Sequence, residues 1–110
     1  MQVHNYLREQ RYSLGKMQKI NLAETKRFFL DVYCLEPGQT QKPHKHEKED
    51  KLYVVVEGVV RVTVDGEARN CLAGDVVLCN AGAAHGIQNV GEDRAAVLAF
   101  MAPHPNPARG

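Results

Sequence analysis

Two histidines one residue apart, His44 and His46, carry the strongest chemical signal in this chain. In an extended backbone, residues i and i+2 point to the same face. A His-x-His segment therefore sends two imidazoles in one direction. Neutral imidazole is the commonest protein ligand for zinc, iron, copper and nickel. A third histidine, His85, follows a loop of small residues, Asn80-Ala81-Gly82-Ala83-Ala84. That loop lets the backbone turn closely before a strand that His85 opens, as His46 precedes another. In a sheet closed on itself, inward residues of different strands converge, so three imidazoles can share one ion. His4 and His104 are isolated and read as structural, although His104 lies just past the last strand, within reach of a barrel mouth.

The elements that must position these side chains are short strands. Arg27–Glu36 is rich in aromatic and β-branched residues and ends at the Pro37-Gly38 turn. Leu52–Glu57, Val59–Val64, Glu67–Leu72, Val76–Cys79, His85–Val90 and Ala95–Ala102 follow, separated by turn residues. Gly58 is expected to fold Val59–Val64 back against Leu52–Glu57, and Asp65-Gly66 is a strong hairpin signal. Gln39–Lys48 is polar, contains Pro43, and reads as a connection. No segment beyond residue 26 reads as a helix. The pattern predicts an all-β sandwich or barrel. Residues 1–26 read as an N-terminal arm with one or two short strands, suited to packing on a partner subunit. Residues 27–110 form the barrel, within one domain overall. The proline-rich tail after Ala102 cannot continue a ladder and is expected as an irregular cap or a frayed end.

Composition narrows the function. The 110 residues are 44% hydrophobic and 25% charged, with formal charge +1. No global field favours nucleic acid or a membrane surface. Lysines 42, 45, 48 and 51 alternate with Glu47, Glu49 and Asp50, which reads as a solvated loop of mixed charge. The three cysteines, Cys34, Cys71 and Cys79, are odd in number and widely spaced, which argues for buried thiols in a reducing compartment. The N-terminus lacks a signal-peptide core and no apolar run is long enough to span a bilayer, so the expected location is cytoplasmic.

Gly38-x5-His44-x-His46-x4-Lys51-x6-Gly58 resembles the first motif of the cupin superfamily. Gly74-x5-Asn80-x-Gly82-x2-His85-x3-Asn89 resembles the second. The resemblance implies a small single-domain cupin, a jelly-roll or double-stranded β-helix barrel. It also implies one divalent transition metal (iron, nickel, zinc, manganese or copper) held by His44, His46 and His85. Two positions depart from the pattern. Asn80 replaces a proline, a mild change because asparagine also forms turns. Lys51 replaces the acidic ligand, and three readings stay open there. The metal keeps three histidines and open positions; or Asp50 shifts register to become a fourth ligand; or the metal is lost and Lys51 is the counter-ion of an organic anion. Lys51 is also a candidate catalytic base if burial neutralises it. Counted by alternation, Tyr53 and Val55 share its inward face, and Tyr53 is a candidate pocket-wall or catalytic residue. Asn89 reads as a turn or backbone anchor.

The resulting expectation is a homodimer with a small-molecule ligand or substrate. Metal-dependent dioxygenase chemistry is the first reading, isomerase or decarboxylase the second. The rival class is a non-catalytic cupin that binds or senses a sugar or organic acid. Fold does not choose between them.

Overall fold

A computed structural model describes residues 1–109. Nine strands run in chain order: β1 (Gln18–Glu24), β2 (Phe29–Leu35), β3 (Thr40–His44), β4 (Asp50–Glu57), β5 (Val59–Val64), β6 (Glu67–Leu72), β7 (Val76–Cys79), β8 (His85–Asn89) and β9 (Ala95–Ala102). One helical turn, α1 (Tyr6–Glu9), precedes them, and a 3-10 turn at Pro107–Arg109 follows. Two antiparallel sheets face each other, in the orders β1-β2-β9-β4-β7 and β3-β8-β5-β6. This is the all-β, jelly-roll architecture expected.

Alternation explains the two layers. Lys51, Tyr53 and Val55 are buried on the inner face of β4, while Leu52, Val54 and Val56 point outward. Tyr33, Leu35, Tyr53, Val55, Val60, Val62, Ile87 and Val97 make the interior. Each buried side chain of this size stabilises the fold by roughly 1.5–3 kcal/mol. A second cluster, Leu22, Val32, Cys34 and Ala96, lies on the outer face of the larger sheet, where Tyr6 and Tyr12 of the N-terminal arm pack on it. The three cysteines are free and buried.

Two expectations about connectivity need correction. Val59–Val64 does not fold back on Leu52–Glu57. β4 pairs with β7 and β9, whereas β5 pairs with β6 and β8 in the other sheet. Gly58 carries the chain between sheets at φ +84°, and a Cβ there would stand 2.8 Å from Ala95 Cβ. The polar segment after Gln39 is also not simply a connection, because Thr40–His44 is β3. It is an edge strand with a register shift between Gln41 and His44, so Pro43 costs it little. The Asp65-Gly66 hairpin forms as expected, with both residues at positive φ.

Candidate metal centre

The smaller sheet brings the histidines together. His44 ends β3 and His85 begins β8, and the two are register partners. His46 lies just beyond β3. The ring centroids are 4.5 Å apart for His44 and His85, 5.1 Å for His44 and His46, and 5.9 Å for His46 and His85. One ligand atom from each lies within 4.8 Å of the others. Gly86 makes this approach possible. A Cβ at that position would stand 2.7 Å from Gln41 O and 2.8 Å from Pro43 N.

Hydrogen bonding orients the rings. His44 Nδ1 lies 3.1 Å from Lys42 O, and His85 Nδ1 lies 3.0 Å from Ala83 O. Each Nδ1–H therefore donates to a backbone carbonyl, which leaves Nε2 as the lone-pair nitrogen. His46 Nδ1 faces Glu49 Oε1 at 3.6 Å. His85 Nε2 is buried without a partner, an arrangement that costs stability unless something else binds it. Burial pushes the His85 pKa down to about 4, aided by Lys51, His44 and His46 and opposed by the Ala83 carbonyl. Burial likewise lowers His44. Both are neutral at pH 7, the form a metal requires. The donor set fits a divalent transition ion.

Lys51 sits where the acidic ligand of the motif would be, yet its side chain turns to the tyrosines. It is 2% exposed, and Nζ donates to the Tyr33 hydroxyl at 3.0 Å. The ammonium also lies 5.0 and 5.1 Å from the ring centroids of Tyr33 and Tyr53. Burial lowers its pKa to about 8, Lys19 adds to this, and Cys79 and Asp31 oppose it. Most of it is protonated at pH 7. Tyr53 is wholly buried, with its hydroxyl donating to Gln41 Oε1 at 2.8 Å and its ring 6.0 Å from that of His85. Burial raises both tyrosine hydroxyls above the ordinary tyrosine range, so both stay neutral, Tyr33 as the acceptor of Lys51 and Tyr53 as a donor to Gln41.

The structure does not bring Asp50 into the cluster. Asp50 is exposed, and its Oδ1 accepts from the Ala81 N–H at 2.8 Å, which ties the strand to the loop before His85. Asn89 is an anchor: Nδ2 donates to Leu35 O and Asp93 O, and Oδ1 accepts from Gly91 N–H. His104 is buried against the Phe29 ring and pairs with Glu24, so it pins the tail to β1. Sequence reasoning missed Tyr33, Gln41 and Glu49. Tyr33 lay on an inward position of a recognised strand, but nothing in its neighbours names Lys51 as its partner.

Comparison with known proteins agrees with this architecture. The cupin-domain family profile matches residues 31–101. An uncharacterised Streptomyces coelicolor protein is 36% identical over 74 residues, covering 66% of this chain and 68% of that protein. A Streptomyces cyaneus protein named polyketide synthase CurC is 28% identical over 83 residues, and the match spans 74% of this chain and 54% of that protein. Among solved structures, TT1209 from Thermus thermophilus superposes with TM-score 0.92 at 39% identity, covering 96% of this chain and 100% of that one. A Thermotoga maritima protein described as a predicted oxalate decarboxylase has TM-score 0.76 at 26% identity, with 80% and 81% coverage. The sheets, the two histidine motifs and the matched profile lead to one assignment: this chain belongs to the cupin family.

Proposed function

We propose that this cupin is a mononuclear metalloprotein in which His44, His46 and His85 hold a divalent transition ion, and that it acts on a small organic substrate. The observation that carries the reading is the buried, unpartnered His85 Nε2 beside the imidazoles of His44, whose Nδ1 is hydrogen-bonded to Lys42 O, and His46. Such an ion, when bound, supplies Lewis acidity or, for iron and copper, redox chemistry at open coordination positions. The chain's own residues fix the tautomers, exclude water through Tyr33 and Tyr53, and hold a cation at Lys51 Nζ.

Dioxygenase chemistry is the first reading, because three histidine ligands leave positions free for both substrate and oxygen. Decarboxylation is the second, favoured by the likeness to the predicted oxalate decarboxylase. The test is metal analysis of untagged protein, followed by oxygen-electrode assays with small acids. Stoichiometric iron with substrate-dependent oxygen uptake supports the dioxygenase. Carbon dioxide release without oxygen uptake supports the decarboxylase, and no metal after reconstitution overturns both.

The protein is read as a cytoplasmic homodimer. Three buried free thiols favour a reducing compartment. The outer face of the larger sheet carries two cross-strand apolar rows, Leu30-Phe100-Leu52-Leu78 and Val32-Leu98-Val54-Val76. Val76 and Leu78 are 62% and 53% exposed at its edge, which favours a second copy covering this face. Among the described residues, no helix is long and apolar enough to cross a membrane.

A further inference from the structure

We propose that the ligand is a small monocarboxylate, and that Lys51 and Lys19 receive its carboxylate beside Tyr33, next to the histidine cluster. This rests on the metal-centre reading above and deepens it by naming the substrate class.

The first observation is an ammonium without a counter-ion. Lys51 is buried, its acceptor is the neutral Tyr33 hydroxyl, and it takes part in no ion pair among the described residues. A buried charge left unpaired is costly, and an anionic ligand that pairs with it would relieve that cost. Apolar packing alone would be served by methionine or leucine at this inward position.

The second observation is the charge of the surrounding wall. Lys19 and Lys51 both face the Tyr33 ring, at 5.5 and 5.0 Å. Lys19 and Tyr33 are register partners across β1 and β2, and Asn21 pairs with Asp31 further along the same ladder. Asp31 is a carboxylate of this wall, and Asn21 Nδ2 donates to it at 2.9 Å. Lys19 and Lys51 thus outnumber Asp31 beside Tyr33, and Glu24, the next carboxylate along the wall, is itself paired with His104. That balance suits one carboxylate better than a phosphate dianion.

The third observation is space. A cavity of about 250 Å³ is lined by Lys19, Asn21, Phe29, Asp31 and Tyr33. At ~30 Å³ per liquid water, it has room for a small molecule of roughly eight heavy atoms. A neighbouring cleft between β1 and β3 shares Lys19 and is bordered by Lys16 and Gln41, giving an anion a basic way in. Tyr53 touches both ends of the arrangement, with its ring 6.4 Å from Tyr33 and 6.0 Å from His85. The carboxylate site and the histidines are therefore one aromatic ring apart.

The experiment is calorimetric titration of the purified protein with acetate, pyruvate and benzoate, each against its neutral amide, with metal content measured on every sample. We expect at least one acid to bind about ten-fold more tightly than its amide, as a charge-assisted hydrogen bond allows. Lys51→Met should erase that preference, and Lys19→Gln should weaken the acid by about three-fold, with metal content unchanged in both. Lys19 is exposed, so its variant folds whatever becomes of the Lys51 variant. Equal binding of acid and amide, no binding of any acid, or a preference that survives Lys51→Met overturns the proposal. Metal-free protein that still prefers an acid through Lys51 would sink the metal centre and leave this site standing. Fully metallated protein without acid preference would do the reverse.

Discussion

His44 and His85 face each other across the β3–β8 ladder, with ring centroids 4.5 Å apart. The closeness depends on Gly86, over which the backbone of Gln41 and Pro43 passes. Gly86→Ala would set a Cβ against backbone atoms that cannot swing aside. We expect a loss of ~1–3 kcal/mol from overpacking and weaker metal retention as β3 lifts from β8. Thermal melts and elemental analysis check this together; a normal melt with full metal would contradict the role given to Gly86.

Removing a ligand should uncouple metal from stability. A metal that binds only the folded state adds about 2.7 kcal/mol at a free concentration 100 times its Kd. Chelator is therefore expected to lower the melting temperature of the natural protein and leave His85→Ala unmoved. Equal chelator responses in the two proteins would remove His85 from the ligand set.

Lys51 gives a pH signature with a definite sign. Its pKa is about 8 in the fold against the ordinary lysine value of 10.5. Between these values the unfolded chain holds a proton that the folded chain has shed. Stability contributed by this group therefore rises with pH from about 8 to 10.5, by on the order of 3 kcal/mol. Below this window the charged, buried group is a penalty. Lys51→Met is expected to be more stable than the natural protein at pH 7 and to show a smaller gain on going to pH 10. Urea melts at the two pH values measure both effects, and identical pH responses would contradict the assignment.

Asn89 separates fold from site. It is 1% exposed and spends its amide on Leu35, Gly91 and Asp93. Asn89→Ala leaves these buried groups unsatisfied, at ~1–3 kcal/mol. Metal content per folded molecule should not change. A selective loss of metal from a normally stable variant would show instead that Asn89 serves the centre.

The apolar rows on the larger sheet lead to a solution test. Leu78→Glu places a charge on the exposed end of one row. It should convert a dimer to a monomer in sedimentation at micromolar concentration, with metal binding intact. A natural protein that sediments as a monomer throughout would end the dimer reading.

The local content of the fold was legible in the sequence. Alternation and turn residues mark β5, β6, β7 and β9 at their observed bounds, because both signals arise from neighbouring residues. The two histidine motifs likewise named the residues that gather at the centre. β3 escaped notice because it is an edge strand. Its ladder uses backbone groups, and Gln41 bonds Tyr53 where an apolar residue would otherwise mark the inner face.

His44 and His46 were visible as two imidazoles on one short segment, since their spacing alone aims them together. That His85 meets His44 in register, that Gly86 permits it, and that Asp50 turns away to Ala81 were decided by strand pairing across the barrel. Lys51 shows the division most clearly. The sequence by itself determined that an inward-facing lysine stands at the acidic position of the motif. Only the tertiary structure decided that its flexible four-carbon stem carries the charge to Tyr33, because a hydroxyl from β2 is the acceptor it reaches once the sheet has closed.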